Sequence, residues 1–276
     1  ASQATTRNRE RVPMRDLRPI LTLWHREIVR FYRQRSRITG ALATPLLFWL
    51  LLGPGFAESF RPADAQNGLG YAEYFFPGAM VLVVLFTAIF STISVIEDRK
   101  EGFLQAVLVA PVSRSVVVLG KILGGTTLAL GQALPLLVAA PSLGTHLGLG
   151  DLAAIFLVLL TIAFGLTTLG FLIAWRMDST QGFHVIMNLV LMPMWLLSGA
   201  FFPASGASPW LQVVMYLNPL TYGLAALRRC LYPAGVAAVT DMPSLAISLA
   251  VTCLFAVVTF YAARQMASRP LDVGLA

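Results

Sequence analysis

The sequence predicts an all-α integral membrane protein with six transmembrane helices, and three observations carry that expectation. Hydrophobic residues make up 57% of the 276 residues and charged residues 12%, about half the charged share of an ordinary soluble domain. A mean hydropathy of +0.74 leaves too little polar surface to clothe a core in water. The apolar residues are also gathered into long uncharged runs, and a helix needs roughly 20 such residues to cross ~30 Å of hydrocarbon. No polar block between the runs is long enough for a separate catalytic domain.

The runs fall in order along the chain. Residues 38–57 supply the first span and residues 74–96 the second. The third lies within 122–150, interrupted by Pro135 and Pro141, and the fourth covers 152–175. A long uncharged run, 179–227, holds a fifth span near 183–202, and 243–263 form the sixth. The polar stretch ahead of the first run is far longer than the basic region of a signal peptide, so that run is expected to be a retained anchor. Between spans five and six, residues 210–217 are too few to cross and Pro219 interrupts the next apolar stretch. Short apolar helices at membrane depth read as a re-entrant hairpin packed against protein. Its marked residues are Trp210, Asn218, Pro219, Tyr222 and Arg228.

Lysine and arginine in the short loops set the orientation. With a cytoplasmic N-terminus, that face carries 17 of the 20 basic residues, and the other face carries Arg61, Arg228 and Arg229. Ten arginines fall within residues 1–37 alone. The expected arrangement is a cytoplasmic segment 1–37, a six-span body 38–263 and a cytoplasmic tail 264–276. The formal charge of +7 then reflects membrane topology and not nucleic-acid binding.

Two polar segments are periodic enough to act as helices. Over residues 17–32, Leu17, Ile20, Leu21, Trp24, Ile28 and Phe31 share one stripe, with Arg15, Arg26, Arg30, Arg33 and Arg37 opposite. That pattern suits a helix lying flat at the cytoplasmic interface; a solvated helix of a small N-terminal domain is the alternative. After the second span, Glu97, Asp98, Arg99, Lys100 and Glu101 crowd together, and Gly102 can release the chain from the helix axis. Phe103, Leu104, Val107 and Leu108 then form a short amphipathic helix ended by Pro111, with Arg114 beyond. An apolar face there suits a cytoplasmic partner. An ordinary interfacial loop with snorkelling basic residues fits the spacing equally well.

Catalytic and redox chemistry finds no foothold. Cys230 and Cys253 have no metal or redox spacing, and no disulfide is expected between them. His25, His146 and His184 lie in three separate segments, whereas haem would need facing axial ligands. HExxH and GxSxG are absent. A secondary transporter or channel is the other rival. Such carriers use ionisable residues at depth and paired broken helices, and this chain shows one broken region and no acid within a span.

The segments EDRKEGFLQAVLVAPVSR (97–114), LMPMWLLSGAFFP (191–203) and LNPLTYGLAALR (217–228), in that order, resemble the permeases of ABC-2 type exporters, closest to the drug-resistance branch. The resemblance runs over nearly the whole chain. It implies a non-catalytic membrane subunit in a bacterial cytoplasmic (inner) membrane, pairing with a second copy as a homodimer and with two ATP-binding-cassette subunits that hold ATP and Mg. The missing GxxxxGK[ST] phosphate loop agrees that nucleotide chemistry belongs to another polypeptide, so this chain itself needs no cofactor or metal. The resemblance makes residues 97–114 the coupling region, 17–32 the gate helix and 210–232 the outer hairpin. The cargo it implies is amphiphilic, lipid-linked or drug-like. One departure is plain: family members often carry an acid after NPLTY, where this chain has Ala225 and Ala226.

Overall fold

The computed structural model describes residues 14–56, 70–109, 112–145, 147–232 and 242–268. Every regular element among them is helical. In chain order they are α1 (Met14–Arg33), α2 (Arg35–Gly55), α3 (Tyr71–Lys100), α4 (Phe103–Val109) and α5 (Arg114–Ala133). A 3-10 segment (Leu134–Leu143) prolongs α5. Then come α6 (Leu149–Trp175), α7 (Thr180–Trp195) with a π turn (Leu196–Ala200), α8 (Pro209–Leu217), α9 (Pro219–Leu231) and α10 (Leu245–Ser268). Six units are long and apolar enough to cross a membrane: Arg35–Gly55, Tyr71–Lys100, Arg114–Leu143, Leu149–Trp175, Thr180–Ala200 and Leu245–Ser268. The chain is an all-α, six-span membrane bundle.

Two span boundaries take in charged residues that the uncharged runs left out. The second span continues through Glu97, Asp98 and Arg99 to Lys100, and the third begins at Arg114, ahead of Lys121. Asp98 and Lys121 pair with each other, Glu97 with Arg30 and Arg37, and Arg99 and Arg114 bond groups at the α6–α7 turn and the end of α10, so these side chains do not have to leave the helix to be solvated. The far half of the third span changes character for a different reason. Pro135 donates no backbone hydrogen bond and Pro141 follows it, and the helix tightens into the 3-10 form until Gly144, at φ 72°, ends it. The fifth span stops at Ala200, two residues short of the expected 202, where Pro193 precedes the π turn.

The spans pack unequally. α3 is buried along nearly its whole length and is flanked by α2, α5 and α6. α2 and α10 lie at the edge, and leucines and valines such as Leu50, Leu51, Val257 and Val258 cover their outer faces. In hydrocarbon such faces carry no penalty. α8 and α9 have 9 and 13 residues, about 14 and 20 Å at 1.5 Å per residue. Neither crosses ~30 Å. Both cysteines are free thiols.

Candidate functional site

Charge is concentrated where α1, α3 and α5 meet, at the arginine-rich end of the bundle. Asp98 sits there with no exposure at all. Arg26 grips it with two bonds, Nη1 to Oδ2 at 2.9 Å and Nη2 to Oδ1 at 2.7 Å. Arg30 donates to Asp98 and, at 2.8 Å, to Glu97. From α5, Lys121 Nζ reaches Asp98, Glu27 at 2.8 Å and the Ser94 hydroxyl at 3.3 Å. Arg37 closes the group on Glu97. Arg26, Arg30, Arg37 and Lys121 thus meet Glu27, Glu97, Asp98 and Glu101, a neutral set. The bonds to Asp98 raise the Arg26 pKa above its ordinary value. Of this set, Asp98, Lys121 and Glu27 are buried, and charges held that far from water stay only because each has a partner.

Small residues let α1 come close enough to take part. Gly120 and Gly124 lie one turn apart on α5, and a Cβ on them would meet Leu23 Cβ at 2.8 Å and Glu27 Cβ at 2.7 Å. Any side chain at either glycine would push α1 off α5 and pull Glu27 from Lys121. The spacing is the small-xxx-small notch common between membrane helices. Trp24 adds an indole bond to the Thr127 hydroxyl at 3.0 Å.

α4 leaves α3 through Gly102, whose φ of 75° is left-handed. Its inner face belongs to the chain itself. Leu104 is fully buried in the core, Phe103 and Val107 pack against that core, and the Arg26 guanidinium lies 3.7 Å from the centre of the Phe103 ring. Gln105, Ala106 and Val109 face outward, Val109 with 85% of its surface free. Arg99 turns away from the cluster to the α6–α7 turn, bonding the Met177 carbonyl and Asp178. Arg114 pins the carbonyls of Ala267 and Ser268 at the end of α10.

The opposite end holds a second buried cation. Arg228 of α9 is completely enclosed. Its Nη2 donates to the Tyr74 carbonyl at 3.1 Å and the Gly199 carbonyl at 2.8 Å, and its guanidinium lies 3.9 Å from the centre of the Tyr74 ring. Tyr74 donates its own hydroxyl to Gly199 at 2.8 Å, a carbonyl made available by the left-handed turn at φ 84°. Asn218 caps α9 through the Leu220 amide at 3.0 Å and bonds the Met194 carbonyl, with Pro219 in the first turn. Tyr222 reaches back to the Tyr216 carbonyl at 2.9 Å, and Trp210 is largely exposed on α8.

The ABC-2 type transporter model matches residues 18–232, a stretch that holds both charged ends. This chain belongs to the ABC-2 type transporter family. Members of the family are non-catalytic membrane subunits of transport systems that pair with ATP-binding-cassette ATPases. Among the described residues no group of His, Cys, Asp and Glu is placed to hold a metal. The ycf38 protein of Cyanophora paradoxa is 26% identical over 215 residues, covering 77% of this chain and 73% of its own. The inner membrane transport permease YadH of Escherichia coli K12 is 27% identical over 245 residues, 87% of this chain and 90% of its own. Nodulation protein J of Neorhizobium galegae is 22% identical over 258 residues, 91% and 93% of the two chains.

In this ABC-2 permease the residues singled out from sequence divide into separate sites. Glu97, Asp98 and Glu101 join the ion cluster, Arg99 and Arg114 serve other helix ends, and Phe103, Leu104 and Val107 face inward. Pro111 and the side chain of Leu108 lie outside the described residues. On α1, Phe31 is buried, Ile20, Trp24 and Ile28 are partly covered, and Leu17 and Leu21 are exposed. Arg26 and Arg30, placed on the outward face by periodicity, turn inward to acids on α3. Glu27 and the Gly120–Gly124 notch were missed. The notch was visible as GKILG, whereas nothing local marks Glu27 as the partner of a lysine 94 residues away.

Proposed function

We propose that this chain is the membrane half of an ATP-driven exporter, working as a homodimer with two ATP-binding subunits that carry ATP and Mg. In this reading α4 is the coupling helix, α1 a gate helix at the cytoplasmic interface, and α8–α9 a re-entrant hairpin toward the outside. Residues 1–37 and 264–276 then lie in the cytoplasm around the 38–263 body. The membrane is the bacterial cytoplasmic one, as the Escherichia coli relative's description supports. The cargo is an amphiphile of the lipid-linked or drug-like kind.

One observation carries the reading. α4 presents Gln105, Ala106 and Val109 outward, while its base is tied through Arg26 to α1 and through Asp98 to α5. A partner that pushes on the outward face loads three helices at once through short ionic contacts. Such contacts transmit displacement because a packed interior does not deform smoothly.

Coexpression of the chain with its ATP-binding subunit tests this. Val109→Asp changes an exposed side chain, so insertion and thermal stability should stay as in the wild type. The complex should dissociate, or hydrolyse ATP without moving cargo. Unchanged ATP-driven transport by this variant would remove α4 from the coupling role.

A further inference from the structure

The spans do not all turn the same kind of face outward. Ile247, Leu254, Val257 and Val258 make the outer side of α10. Its Ser248, Thr252 and Thr259 are buried, with their hydroxyls on nearby carbonyls. That is a surface suited to lipid, whose hydrocarbon offers no hydrogen bond. α7 differs. It packs chiefly on α3, and away from that contact Gln181, Val185, Asn188, Met192 and Leu196 follow one another at three- or four-residue intervals, one narrow stripe of the helix. Val185 has 66% of its surface free, and Leu189 beside the stripe has 72%. Asn188 is exposed as well and makes no hydrogen bond among the described residues.

Depth gives that amide its weight. His184 lies against the Phe90 ring at 5.9 Å and the Trp195 indole bonds the Gly78 carbonyl, which sets Asn188 opposite the middle of α3. It lies about 12 Å from the start of the Thr180–Ala200 span and about 18 Å from its end, at 1.5 Å per residue. A ~30 Å core offers only hydrocarbon at that level, and an amide left there forfeits its donors and its acceptor.

We propose that a second copy of this chain covers the stripe, the two α7 helices running parallel about a two-fold axis along the membrane normal. Asn188 then hydrogen-bonds its own counterpart. An amide carries both donor and acceptor, so two of them satisfy each other. An isologous contact needs that property, because a residue at the axis meets its own copy. Both copies share one orientation in the membrane, so the paired helices are parallel. One asparagine in the seam of a parallel pair fixes register and the number of strands, and between membrane helices it supplies a bond that apolar packing lacks. The proposal rests on the homodimer reading above and names the contact that would hold that dimer.

The test uses the full chain in lipid vesicles. In a Cys230→Ser background, Asn188→Cys should cross-link to its own copy under a membrane-permeant oxidant, since facing positions at a two-fold axis come within disulfide reach. The background alone keeps Cys253, which is exposed on α10, and should give no cross-link. Self-association is read by energy transfer between copies tagged at the C-terminus, as lipid is added to dilute them. Asn188→Leu should weaken it about tenfold and Asn188→Gln should restore most of it. Neither should change insertion, because Asn188 bonds nothing in its own chain. A chain that is dimeric by energy transfer yet gives no cross-link at this position would overturn the proposal and leave the homodimer reading intact. A chain that stays monomeric while its ATP-binding subunit drives export would remove the homodimer reading and the proposal with it. Undiminished association of Asn188→Leu would also overturn the proposal. So would rapid labelling of Asn188→Cys by a water-soluble maleimide, which would put this position on an aqueous cargo path.

Discussion

The two ends of the bundle bury charge in opposite ways. At the arginine-rich end, four cations face four carboxylates on α1, α2, α3 and α5. At the other end, Arg228 is enclosed with two backbone carbonyls and the ring of Tyr74, and no ion pair to it occurs among the described residues. A paired network joins separate helices and can break and reform as they move. A cation seated on carbonyls fixes one backbone turn and offers no alternative arrangement. On this physics the first end suits a moving junction and the second a fixed clamp.

Removing one carboxylate from the network should have the largest effect. Asp98→Ala leaves Arg26, Arg30 and Lys121 facing each other, and breaking a buried pair in this way costs about 3–5 kcal/mol. Thermal melting in detergent should show a large loss, partly restored in the Asp98→Ala, Lys121→Met double variant. Wild-type stability in the single variant would erase the contrast between the ends. Arg228→Met should cost less, about 2 kcal/mol, because it takes one donor from each of two carbonyls but leaves no charge without a partner. No second substitution of a nearby acid should rescue it.

Two smaller changes probe the same contrast. Gly124→Ala would place a methyl 2.7 Å from Glu27 Cβ and should cost about 1–2 kcal/mol through overpacking. Its signature is release of α1, read as a rise in Trp24 mobility by fluorescence anisotropy. Tyr74→Phe removes only the hydroxyl bond to Gly199, about 1 kcal/mol. It should leave α1 untouched, and a coupled change in Trp24 anisotropy would show that the two ends are not independent.

How much of this was legible depends on the range of the signal. The apolar runs located all six spans, since crossing a bilayer is a property of one helix and the solvent around it. The periodicity of residues 17–32 was enough to find α1 but not its contacts. Apolar spacing placed Arg26 and Arg30 on a solvent or headgroup face, whereas the acids of α3 draw them inward. The outward residues of α4 were likewise hidden, because a seven-residue helix with Phe103, Leu104 and Val107 on one face can turn that face either way.

Fold class, spans and the asymmetry of basic residues were all readable from the chain alone. Each depends on hydrophobic transfer or loop charge, quantities that add up locally along the sequence. Which charges are buried, and with whom, is settled by packing in three dimensions. Glu27, Asp98 and Lys121 are scattered over 94 positions, and the Glu27–Lys121 pair exists only once Gly120 and Gly124 let α1 approach α5. The orphaned amide of Gln132 is likewise a tertiary fact. On the helix alone it reads as one polar residue in an apolar run, and its lack of partners appears only once the bundle has packed around it.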